Sequence, residues 1–289
     1  MQKIGLYDVD GTMPNLALMK VAAYHKKRGD PVEWIFPLKT YDKVYASKIF
    51  KDSSYEEYPN MIKGGSGFDL TTTLPKEIEK CSPDYSIYPD CDYSIGFTTR
   101  GCIRNCSFCI VPEKEGGIKD HMNIKDIWRG EGNIVLFDNN ILAMPEKFEE
   151  ALVFCSEKNI KIDFNQALDC RLVTPAIAAL IKKYRKHIKP YVRFAFDDLI
   201  TSQMVIRCCR LIGFSCFWYV YCDEDFESAM ERLLILKRMK QRPYLMRNSR
   251  IRGKKFQKFN MLARWANRGG FLRETDFYDY MYFMKKGKL

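Results

Sequence analysis

Three cysteines stand at 102, 106 and 109, in the string Thr98-Thr99-Arg100-Gly101-Cys102-Ile103-Arg104-Asn105-Cys106-Ser107-Phe108-Cys109. Thiolates spaced C-x3-C-x2-C can wrap one face of a soft metal centre from within a single loop. A four-iron cubane held by three thiolates keeps one iron open to a ligand that is not protein, whereas an electron carrier takes a fourth cysteine. The spacing therefore suits chemistry performed at the cluster. Two rivals use the same residues. A Cys3His zinc site would borrow His121, and a carrier cluster would draw its fourth thiolate from Cys81 or Cys91. The other cysteines, such as Cys155, Cys170, Cys216 and Cys222, lie singly in apolar segments and read as small buried hydrophobes of a reducing compartment.

Around this loop the chain alternates strand-like and helix-like segments. Strand patterns fall at 93–99, 133–138, 160–168, 191–196, 214–221 and 243–247, with helical patterns at 145–158, 175–188, 201–212 and 224–240. Thr174 before Pro175, and Asp223 before Glu224-Asp225, read as helix N-caps. Six βα units with short connections predict a parallel α/β sheet and fit a partial barrel; too few residues remain for eight units. The cysteine loop follows the first of these strands, at the strand end where α/β folds collect function. Upstream, 2–9, 32–38 and 43–50 read as strands and the segment opened by Pro14 as a helix, while 51–92 looks like a linker. The expected division is a small Rossmann-like unit over 1–80, a barrel over 81–250 and two helices, near 256–267 and 274–284, within 251–289.

With these residues stated, a resemblance can be named. C-x3-C-x2-C after a first strand, with Arg-Gly before it, Phe108 inside it and Ile-Val-Pro after it, resembles the radical SAM superfamily. It is closest in appearance to the branch of methylthiotransferases and cobalamin-associated enzymes, over about residues 93–250. The resemblance implies a 4Fe–4S cluster on Cys102, Cys106 and Cys109, with S-adenosylmethionine (SAM) on the open iron. It further implies reductive cleavage of SAM to a 5′-deoxyadenosyl radical, and an electron donor such as flavodoxin or ferredoxin. Phe108 and strand-end residues would contact SAM: Asp138 and Asn139 after the second strand, Asp169 and Arg171 after the third, and Gln166 and Arg193 nearby. A carboxylate suits ribose hydroxyls and a guanidinium suits a carboxylate. The competing reading of each is a strand-end cap or an ion pair.

The first 80 residues are similar to the start of cobalamin-binding domains at Asp10-Gly11 and Pro14-Asn15-Leu16, but the Asp-x-His-x-x-Gly string of a cobalt ligand is absent. Bound cobalamin is therefore not expected. A second cluster is not expected either, since no cysteine precedes Cys81 and none follows Cys222.

The chain has 289 residues and a net charge of +11. Twelve Lys or Arg and no acid lie between 237 and 268, leaving the rest near neutral (+11 − 12 = −1). Tyr244, Phe256, Phe259 and Trp265 interleave with these cations, a pattern that suits a nucleic acid, with phosphates on the cations and bases on the rings. Phe259, Leu262, Ala263 and Ala266 also form an apolar helix face, which favours core packing for part of the segment. No run is long and apolar enough for a membrane span, and the N-terminus reads as a strand, not a signal segment, so a cytoplasmic protein is expected. The alternative function, from another class, is a nucleic-acid-binding protein with a structural cysteine-rich metal site and no turnover.

Overall fold

The structure is a computed structural model and describes residues 1–223, 225–248 and 253–286. The chain divides into two compact units: Met1–Gly96 with Arg104–Gly117, and Phe97–Ile103 with the residues from Ile118 onward. The cysteine loop is thus shared in sequence between them.

In the first unit, β1 (Ile4–Asp8) leads into α1 (Leu16–Lys27). Helix α1 starts where Asn15 Oδ1 accepts the N–H groups of Ala17 and Leu18, both at 3.2 Å, and ends before Gly29, whose φ of +79° an L side chain would resist. Strands β2 (Val32–Trp34), β3 (Lys43–Ser47) and β4 (Met61–Gly64) complete a parallel sheet of order β2-β1-β3-β4. Ile4 and Leu6 meet Leu18, Val21, Ala22 and Ile78 in its core. Ile78 belongs to the short α2 (Lys76–Glu79), and β5 (Ser94–Gly96) closes the first stretch. The segment read as a linker therefore supplies a strand and a helical turn. Met61–Gly64 lacks β-branched alternation, and only its ladder with β3 makes it a strand.

Within the cysteine stretch, α3 (Val111–Lys114) is a single turn. In the second unit β6 (Thr99–Arg100) and β7 (Lys119–Asp120) pair antiparallel and close the base of the cysteine loop. Then α4 (Ile124–Ile127), β8 (Asn133–Leu136), α5 (Pro145–Glu157), β9 (Lys161–Phe164), α6 (Pro175–Lys183), β10 (Arg193–Ala195), α7 (Ser202–Ile212), β11 (Phe217–Cys222), α8 (Phe226–Arg238) and β12 (Arg242–Arg247) alternate. Strands β8 and β9 are parallel, as are β10, β11 and β12. Bridges Ile162↔Ile188 and Leu168↔Phe194, both parallel, join the two groups. Their inner residues, from Ile134 to Leu245, form one core with the helices. The molecule is thus α/β with parallel sheets, as expected.

Three local expectations change. The N-cap of α8 is Asp225, which accepts Ser228 N–H at 3.0 Å; Asp223 instead accepts Asp225 N–H, and Glu224 is outside the described residues. The predicted helix over 175–188 stops at Lys183 and gives way to a 3-10 turn, Arg185–His187. Among the described residues the C-terminal region holds three helices, α9 (Gly253–Asn267), α10 (Gly269–Glu274) and α11 (Phe277–Lys285), the first two separated at Arg268. Phe259, Leu262, Trp265 and Ala266 of α9 are buried.

Candidate functional site

The site is built outward from β8. Backbone alternation past its end sends Asp138 and Asn140 to the buried side, 5% and 4% exposed, and leaves Asn139 half-buried. Asp138 accepts the backbone N–H of Thr98 at 3.0 Å and its hydroxyl at 2.6 Å, and the N–H and hydroxyl of Thr99 at 2.5 and 2.7 Å. A carboxylate so occupied is a fastener. It fixes the two residues from which the cysteine loop departs, and Gly101, at φ +79°, then turns the chain into Cys102.

Asn140 brings the next layer together. Its Nδ2 lies 3.5 Å from Cys102 Sγ and 3.4 Å from Asp169 Oδ2. Asp169, buried at the start of the turn Cys170–Leu172, holds Arg171 through Oδ1 to Nε at 2.6 Å and Oδ2 to Nη2 at 3.0 Å. Asn140 Oδ1 is buried and accepts no hydrogen bond, an expensive state for an amide oxygen. An acceptor beside a cysteine sulfur and an Asp–Arg pair suits a ligand that brings an amino or hydroxyl donor.

Asp197, after β10, adds to the same charge field. It accepts Tyr221 N–H at 2.8 Å, and burial pushes its pKa up although Arg232 and Arg171 pull the other way. Cys170, between these carboxylates, has its thiol raised by burial to about 12.

The remaining candidates have these surroundings. Arg193 makes a buried ion pair with Asp163 and donates to Phe164 O at 3.3 Å. Gln166 is exposed. Phe108 is 47% exposed, Cys109 is exposed and Cys106 half-buried, with Cys109 N–H bonded to Cys106 O at 3.0 Å. His121 sits edge-on to Phe97. Among the described residues no group of three or more His, Cys, Asp or Glu is placed to hold a metal ion. The sequence places Asn140 in the strand-end string Asp138-Asn139-Asn140 without preferring it to Asn139, and it does not single out Thr98 or Thr99 as site residues. The two-residue period from Asp138 to Asn140 was the available signal, whereas the threonines become visible only when the chain has folded.

No family model matches the chain, and no curated protein does either. The site must be judged on its own chemistry. Among the described residues no helix is long and apolar enough to cross a membrane.

Proposed function

We propose that the chain is a radical SAM enzyme that cleaves SAM reductively and acts on a nucleic-acid substrate. In this reading Cys102, Cys106 and Cys109 would hold three irons of a 4Fe–4S cluster, thiolate sites commonly forming only as the metal binds. The orphaned Asn140 Oδ1, beside Cys102 Sγ, is the observation that carries the proposal. It would accept from the amino group or a ribose hydroxyl of SAM, while Arg171 faces a carboxylate and Asp169 orients Arg171. When bound, the cluster supplies the single electron that cleaves the sulfonium and the site for SAM's methionine end.

The chain's own work is placement. Asp138 fixes the loop stem, the parallel run β8 to β12 sets strand ends side by side, and burial excludes water from Asn140 and Asp169. That sequential run also supports the partial-barrel reading. The electron would come from a donor of the flavodoxin or ferredoxin type. Bound cobalamin forms no part of the proposal.

Anaerobic reconstitution with iron and sulfide, then dithionite and SAM, tests it by mass detection of 5′-deoxyadenosine. The expected outcome is a brown protein with about four irons, whose product disappears in Cys102→Ala, Cys106→Ala and Cys109→Ala. A colourless protein that takes up zinc and no iron would instead establish the structural-metal reading.

A further inference from the structure

Sheet β10-β11-β12 has two unlike faces. Trp218, Val220 and Cys222 of β11 and Leu245 of β12 are buried in the core, while Phe217, Tyr219 and Tyr244 point the other way and belong to no core cluster. With Tyr191, just before β10, these rings form a row. Tyr191 stacks on Phe217 at 5.6 Å and 10°, and Phe217 stacks on Tyr244 at 5.9 Å and 27°. Tyr219 meets both Phe217 and Tyr244 edge-on. Arg242 packs against Tyr191, its guanidinium 5.0 Å from the ring centre. The two end rings stay open, Tyr191 at 44% and Tyr244 at 43% exposed.

The segments leading into this row are cationic. Residues 181–192 hold five Lys or Arg and no Asp or Glu, a second acid-free tract in addition to that of 237–268. Lys182, Lys183, Arg185, Lys186 and Lys189, leading into Tyr191, are all exposed, as are Lys240 and Arg242 leading into Tyr244. Cations in a last helical turn complement the helix dipole, which accounts for Lys182 and Lys183 at the end of α6. It does not account for Lys189, Lys240 and Arg242, which lie beyond the helices. At Tyr244 the row opens into a groove of about 640 Å³ between β12 and α9, where Arg247, Arg264 and Arg268 line the wall.

We infer that this face binds single-stranded nucleic acid, with unpaired bases stacking on Tyr191 and Tyr244 and the phosphates following Arg242 into the groove. Open aromatic faces in a cationic setting take any base, whereas a duplex keeps its bases stacked on each other and offers only phosphates. Of the two amides that line the groove, Asn260 and Asn267, the second is not available to read a base. Asn267 is already spent on the edge of β12, its Oδ1 accepting Leu245 N–H at 2.7 Å and its Nδ2 donating to Leu245 O at 3.2 Å. The inference rests on the nucleic-acid part of the proposed function and on none of its radical chemistry.

The test is fluorescence anisotropy of the full chain with labelled oligo(dT), oligo(U) and a blunt duplex of equal length, over a salt series. Both single strands should bind more tightly than the duplex. Tyr191→Ala and Tyr244→Ala should each weaken single-strand binding about tenfold, as loss of one stacked base implies. Tyr191→Phe and Tyr244→Phe keep the ring and should bind like the parent. Tyr244→Leu keeps apolar bulk without an aromatic face and should behave like Tyr244→Ala. Arg242→Gln should lower affinity and flatten the salt slope by about one. Equal binding by the Leu and Phe variants, or a preference for duplex, overturns the inference. A parent chain that binds single strands but loads no iron–sulfur cluster keeps this inference and sinks the radical reading; a chain that loads the cluster and makes 5′-deoxyadenosine but binds no single strand does the reverse.

Discussion

The carboxylate of Asp138 accepts both the backbone N–H and the hydroxyl of Thr99, at 2.5 and 2.7 Å. With the two matching bonds from Thr98, one side chain takes up four buried donors. In Asp138→Ala the hydroxyls can rotate to new partners but the two N–H groups cannot, so unfolding free energy should fall by about 3 kcal/mol. Asp138→Asn should cost about 1–2 kcal/mol, since one donor then faces an amide NH2. Urea titration reads both. A loss below 0.5 kcal/mol in the alanine variant, well under the ~1 kcal/mol expected of one orphaned donor, would contradict the role assigned to Asp138.

Asn140 should matter for ligand and little for stability. Asn140→Ala leaves Asp169 paired with Arg171, so the melting temperature should move by only a few degrees. SAM affinity of the reconstituted protein should drop about tenfold, the effect of one lost hydrogen bond near 1.4 kcal/mol. Calorimetric titration with SAM gives the answer, and unchanged affinity would remove Asn140 from the site.

Arg193 and Asp163 stand or fall together. Burial raises the Asp163 pKa above 3.8, and only the Arg193 guanidinium opposes it. Arg193→Met should destabilise by about 3–5 kcal/mol at neutral pH by leaving a buried charge unpaired. Because the folded pKa is raised, the contribution of this group to stability declines as pH climbs from 3.8 through the folded value. The variant should therefore regain stability in acid, and Arg193→Met with Asp163→Leu should lie near the parent. Denaturation at two pH values tests this, and a pH-independent loss would refute it.

Thiol reactivity should separate the cysteines into two classes. Burial pushes Cys155, Cys170, Cys209, Cys216 and Cys222 to about 12, and Cys208 higher still, while Cys109 is exposed. The thiolate is the nucleophile, so iodoacetamide at pH 8 should modify Cys109 and spare those six until denaturant is added. Peptide mass mapping decides. Fast native labelling of Cys208 or Cys155 would show that the core is packed otherwise.

Asp69 should be an unusually strong acid. The hydroxyl and N–H of Thr72, helped by those of Thr71, lower its pKa to about 2. A depressed carboxylate stabilises the fold above the unfolded value of 3.8, and this contribution is lost as pH falls from there through about 2. A carbon-detected carboxyl titration should place its midpoint near 2, and Thr72→Val should raise it. A midpoint near 4, the ordinary aspartate value, would mean that the turn is not formed in solution.

Periodicity and caps made the βα succession from β8 to β12 legible, because each helix buries one stripe and each strand one alternating set. Thr174 caps α6 as expected, accepting Ile177 N–H at 3.2 Å. Strand β4 was not legible: Met61–Gly64 has weak intrinsic preference and exists through its pairing with β3. At the site, the types and spacing of Cys102, Cys106 and Cys109 could be read directly, but the partners of the strand-end charges could not. Asp138 and Arg193 were both candidates for SAM contact, yet one ties Thr98 and Thr99 and the other pairs with Asp163.

What the sequence by itself determined is the local chemistry and the alternation of elements, since both depend on residues within a few positions of each other. The thiol spacing, the helix caps and the two acid-free basic tracts are of this kind. Only the tertiary structure decided which carboxylate is occupied, that Asn140 keeps an unsatisfied oxygen beside Cys102, and that Tyr191, Phe217 and Tyr244 stack in one row. These partners lie more than twenty positions apart in the chain and meet only once the strands and the loops at their ends have folded together. A hydrogen bond or a ring stack is set by distances of a few ångströms, and composition carries no such distance.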